Sequence, residues 1–138
     1  MVDPGVIFLR RSPFGVLSHE PALARLTLVR SPEPLDPATF EAEVDALVAA
    51  IASIDVSACG LLFDVRAVVG RNDDAFEAAS LTARRRFVAL FGRTAVLVKT
   101  FVGRLQGQRF AREDGNGRRL LVTTDPDEAV AFLAVFHA

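Results

Sequence analysis

The sequence predicts an α/β domain whose mixed sheet opens as an antiparallel meander, continues as parallel strands and carries about four helices. Three observations predict it. "GVIFLRR", "FGVLSHE" and "ARLTLVRS" are short β-branched or aromatic runs separated by Ser-Pro and Glu-Pro, the pattern of two or three meander strands. The chain then changes period to that of a helix. From Gly60 onward strand-like and helix-like segments alternate, and a helix between two strands is the connection that parallel neighbours require.

The first helix lies in "SPEPLDPATFEAEVDALVAAIASID". Phe40, Val44, Leu47, Ile51 and Ile54 follow one another at spacings of four and three, an apolar stripe down one helix face. Asp36 is placed to accept from the first free backbone N–H groups, Pro37 suits the first helical position, and Glu41 and Glu43 lie near the positive end of the dipole. Then come a strand "LLFDV" (61–65), a helix from Asp74 to Phe91 and a strand "TAVLVKT". A helix from Phe101 to Glu113, a strand "RLLVTT" and a helix from Pro126 to Phe136 complete the order. "REDGNGRR" is a Gly-rich turn into the last strand. Asp74 with Glu77 has capping-box spacing, with Asn72 and Asp73 as further acceptors, and Asp125, Pro126 and Glu128 repeat the pattern.

A chain of 138 residues, 51% of them hydrophobic, suits one core and therefore a single domain over 1–138. No apolar stretch reaches the ~18 residues of a membrane helix, and "MVDPGVIFLRRSPFG" lacks a signal pattern, so a cytoplasmic location is expected. Cys59 is the one cysteine; it can form neither an internal disulfide nor a metal site by itself and reads as a small core residue. The net charge of −1 hides segregation. Residues 32–77 carry ten acids against two arginines, and residues 78–120 ten bases against two acids, a block of −8 followed by one of +8. Such blocks pair within one fold, pair across a dimer, or leave a basic face for an acidic partner.

Chemistry has little to stand on. His19 and His137 belong to no metal-ligand spacing, and H-x-x-x-H, C-x-x-C and G-x-S-x-G are all absent, so no metal, cofactor or catalysis is expected. Arg84, Arg85 and Arg86 look like a nucleic-acid patch until they are placed on a helix, where they point to three different sides. With no Tyr or Trp to stack on bases, no nucleic-acid partner is expected.

The order of elements resembles the STAS fold of anti-sigma-factor antagonists, and more narrowly the SpoIIAA-like and SEC14-like branch, over nearly the whole chain. "LLFDVRAVVGRNDDAFEAA", "AVLVKTFVGRLQGQRFARED" and "TTDPDEAVAFL" carry the resemblance. It implies a single STAS-like domain acting as a non-catalytic regulatory or protein-interaction module, often self-associating. The SEC14-like label implies the alternative of a small-ligand, anion or lipid-binding domain. Antagonist STAS proteins carry a phosphorylated Ser or Thr near the helix start after such a strand, whereas here no hydroxyl side chain occurs between Ser57 and Ser80. A phospho-switch at that loop is therefore not expected, and Ser57 and Ser80 are its displaced candidates.

Two sites are expected. Asp64 and Arg66 lie two apart on a strand and share a side, where they pair or hold a ligand. The helix starts at Asn72 and Asp125 are crowded by acids, but the start at Thr100 has none. An anion site is accordingly expected from Lys99, Thr100, Gly103 and Arg104, with Arg66 or Arg71 reaching over; the alternative is that Thr100 only caps its helix. Gly103 and Gly107 each cost about 1 kcal/mol in a helix interior, so something should offset them. On a helical wheel Gly103, Gly107, Phe110 and Ala111 form a groove open to a helix of the same chain or to a homodimer partner, while Phe101, Val102 and Leu105 gather on the side expected to meet the sheet.

Overall fold

The computed structural model describes residues 5–68, 74–113 and 118–134. Three antiparallel strands come first: β1 (Ile7–Ser12), β2 (Gly15–Glu20) and β3 (Arg25–Arg30). Then follow α1 (Pro37–Ala50), β4 (Gly60–Asp64), α2 (Asp74–Leu90), β5 (Arg93–Leu97), α3 (Phe101–Glu113), β6 (Leu120–Thr123) and α4 (Pro126–Ala134). The six strands lie in sequence order, and β3 to β6 are mutually parallel, as the alternation predicts.

That order decides where the helices go. Each parallel step moves one strand in the same direction, so right-handed crossovers place α1, α2 and α3 on one face of the sheet. The register carries the core across that face in a single row, Leu17, Leu28, Phe63, Val96 and Val122. Phe40, Val44, Leu47 and Ile51 of the α1 stripe pack onto it, together with Ala83, Phe87 and Phe91 from α2 and its end. The rings of Phe63 and Phe87 meet edge to face with centroids 5.8 Å apart. α4 is not a crossover and folds onto the opposite face, where Ala129 and Leu133 cover Ala95 and Leu97.

The helix starts follow from local chemistry. The Asp36 carboxylate accepts from the Thr39 N–H at 2.9 Å, which holds it below its ordinary pKa. Asp125 accepts from the Asp127 N–H at 2.9 Å at the start of α4. Asn72 and Asp73, expected to cap α2, lie outside the described residues, as do the side chains of Asp74 and Glu77 and the expected end of α4 at Phe136. Cys59 is buried, and burial followed by the nearby Asp55 charge pushes its thiol up, as suits an inert core residue. Arg86 of the basic block reaches Asp45 of the acidic block at 2.6 Å, so the segregated charges meet in part within one fold. Among the described residues no helix is long and apolar enough to cross a membrane.

Gly15 starts β2 where a Cβ would lie 2.1 Å from the Val29 carbonyl oxygen, and no flexible side chain is there to yield. Gly15→Ala is therefore expected to lower stability by about 2 kcal/mol in urea denaturation; a change within about 0.5 kcal/mol would show that the β2–β3 backbone approach is not tight.

Candidate functional site

The C-terminal ends of β3 to β6 share one edge of the sheet. There, between the strand ends and the facing walls of α2 and α3, lies a cavity of about 710 Å³. Phe63, Val96 and Val122, inward-facing members of three adjacent parallel strands, floor it with Phe40 and Ala83, and all five are buried. Val65 and Val98 continue the inward-facing parity one step past the paired residues. Among the described residues the helical walls are small at Ser80 and Ala83 on α2 and Gly103 on α3, which leaves room there. Arg66, Ala67, Lys99, Thr100 and Val102 are exposed and form the mouth.

The described lining is cationic. Arg30, Arg66, Arg84 and Lys99 contribute to it, and no Asp or Glu does so among the described residues. Their situations differ. The Arg66 guanidinium grips the Asp64 carboxylate through Nε at 3.0 Å and Nη2 at 2.7 Å, a bidentate pair. That bonding holds Asp64 below its ordinary pKa and raises Arg66, so this cation already has its counterion. Lys99 is exposed and hydrated.

Arg30 is different, since only 6% of it is exposed. Its guanidinium carbon stacks 4.2 Å from the Phe14 ring centroid and lies 5.4 Å from that of Phe40. Its Nε donates to the Phe14 carbonyl at 3.3 Å, and burial pulls its pKa down to about 10, leaving it charged at neutral pH. No carboxylate among the described residues pairs with it.

The expected anion site is thus brought together in part. Arg66, Lys99, Thr100 and Gly103 meet at the cavity, while Arg71 lies outside the described residues. Arg104 does not line the cavity: its guanidinium sits 5.6 Å from the Phe101 ring centroid. The Thr100 hydroxyl accepts from the Gly103 N–H at 3.0 Å and so caps α3. Arg30 and the cavity wall at Ser80 and Arg84 were missed. The available signal was the run Leu26, Leu28, Arg30, in which period two places an arginine on the buried face.

The apolar trio of α3 does not meet the sheet as expected. Phe101, Val102 and Leu105, expected to meet the sheet, are 62%, 63% and 48% exposed. Gly103 instead turns inward, where a Cβ would meet the Thr100 hydroxyl at 3.2 Å and Val98 at 3.7 Å. A wheel shows which residues share a face, not which face docks. The one tight contact a Cβ would make is with the capping Thr100 hydroxyl, while Val98 would be met at ordinary packing distance. Gly107, Phe110 and Ala111, the rest of the expected interface, have surroundings outside the described residues.

Ser80 is half-buried on the cavity wall, and Ser57 is exposed at the opposite sheet edge with its hydroxyl bonded to Asp55. His19 lies on β2, and His137 is outside the described residues. Among the described residues no three His, Cys, Asp or Glu side chains are grouped to hold a metal.

Comparison with solved structures finds an uncharacterized protein of the DUF3478 family from Shewanella loihica, described as having a SpoIIAA-like fold. It superposes with a TM-score of 0.56 at 18% identity, over 96% of this chain and 98% of that one. The fold is SpoIIAA-like. No family model matches the sequence, and no curated protein does so. At this identity the likeness covers the arrangement of elements and not the residues of the cavity, and it gives no support to the narrower SEC14-like assignment. Within the SpoIIAA-like frame the loop after β4 begins with the Asp64–Arg66 pair at the cavity mouth.

The lowered Asp64 pKa fixes a sign. Its pairing stabilises the fold in full above the ordinary carboxylate value of 3.8 and is lost as pH falls through the lower folded-state value. Asp64→Asn should therefore be less stable than wild type at pH 6, with the gap closing as pH falls below 3.8 and through the lowered folded-state value. A gap that is constant across this range would mean that the charge pairing contributes nothing.

Proposed function

We propose that this chain is a non-catalytic binding module that takes a small amphipathic anion between its sheet and the α2 and α3 helices. The observation that carries the reading is the cavity itself, about 710 Å³ with an apolar floor, four cations and no acid among its described lining residues. A tightly packed interaction domain would have filled that space, whereas this volume falls in the range that small-molecule sites occupy. Its place outside the carboxyl ends of parallel strands is where α/β sheets commonly bind ligands.

A second reading, association with a protein partner or another copy of the chain, is favoured by the exposed ridge of Phe101, Val102 and Leu105. The two are separable by filling the cavity. Ser80→Leu adds apolar volume to its wall and is expected to keep the melting temperature while weakening decanoate binding at least about tenfold by calorimetry. Association through the ridge, followed by light scattering, should survive the same change. Decanoate binding unaltered by Ser80→Leu would place the ligand elsewhere, and no binding to wild type would remove the ligand reading.

A further inference from the structure

We propose that Arg30 is the headgroup anchor of this cavity, so that a carboxylate ligand enters head-first and leaves its apolar chain lying toward the mouth at Val102. The inference rests on the reading of the cavity as a ligand site and adds the class and orientation of the ligand.

An ionised side chain withdrawn from water is expensive unless a charge or several hydrogen bonds replace the lost hydration. Arg30 is 94% buried by its 6% exposure, yet the described residues give it one hydrogen bond, from Nε to the Phe14 carbonyl, and the faces of two phenyl rings. Among the described residues neither Nη group has a hydrogen-bond partner. Arg30 itself lines the cavity, which brings its side chain to the space a ligand would occupy.

The remaining geometry selects the ligand. Stacking on Phe14 covers the guanidinium face and leaves its edge, a planar pair of N–H donors matched to a planar carboxylate. One buried unit charge is balanced by a monoanion. The same cavity is lined by buried Phe63 and Val96, which suits a hydrocarbon chain. The competing orientation, head outward, would rely on Arg66 and Lys99; but Arg66 is already held by Asp64, and Lys99 is exposed where water screens it.

The test titrates decanoate and its methyl ester into wild type, Arg30→Met and Lys99→Gln. Methionine keeps the apolar stem and removes the charge. Decanoate affinity should fall about 10- to 100-fold in Arg30→Met while ester affinity holds, and Lys99→Gln should change decanoate affinity less than about threefold. Equal losses for acid and ester, no loss for either, or a larger effect at Lys99 would overturn the anchor while leaving the cavity as a ligand site. Failure of wild type to bind acid and ester alike would remove the cavity reading and the anchor with it. Should Arg30→Met not fold, the arginine side-chain NMR signals of wild type decide: decanoate should shift those of Arg30, and unmoved signals would overturn the proposal.

Discussion

The parallel pairing of β3 with β4, from Arg25 opposite Gly60 to Val29 opposite Asp64, determines where the rest of the chain can go. Up to β3 the chain is a meander, which needs no helices. Once β3 and β4 run in the same direction the chain must cross the sheet to return, and it does so three times with α1, α2 and α3 on one side. All four parallel strands then end at one edge. Their last inward residues and the first turns of the following helices converge there whatever those residues are, and in this chain they bring an arginine, several valines and small helical residues together.

Much of the architecture was legible because it is written in periods and caps. The α1 stripe of Phe40, Val44, Leu47 and Ile51 is buried as its spacing requires, and Asp36 caps the helix before Pro37. The alternation after Gly60 translates directly into the parallel half of the sheet. Docking was not legible. Gly103 and the apolar trio Phe101, Val102 and Leu105 occupy different faces of α3, and nothing local to the helix states that the glycine side would meet Val98. Arg30 was overlooked for a related reason. At the end of "ARLTLVR" an arginine resembles the polar stop of a strand, and only its parity with Leu26 and Leu28 places it inside.

Placement separates the cations of the site more than charge does. Arg66 and Asp64 satisfy one another and stiffen the loop that leaves β4. Lys99 stays in water before the Thr100 cap of α3. Among the described lining residues Arg30 combines burial and aromatic stacking with donors that no described residue uses, which leaves a ligand with an anionic end the most to gain there. The small residues Ser80, Ala83 and Gly103 supply the room. A sequence under pressure only for packing would be expected to fill a gap between sheet and helices, because unfilled volume forfeits dispersion contacts and stability.

The most direct test is to locate a bound chain within the protein. With methyl-labelled valine and saturating decanoate, intermolecular nuclear Overhauser effects should connect the decanoate methylenes to Val96, Val98 and Val122, the inward-facing valines of β5 and β6 and their strand ends. Contacts confined to surface methyls such as those of Val29 or Val130, with none to the three cavity valines, would contradict a ligand site between the sheet and its helices.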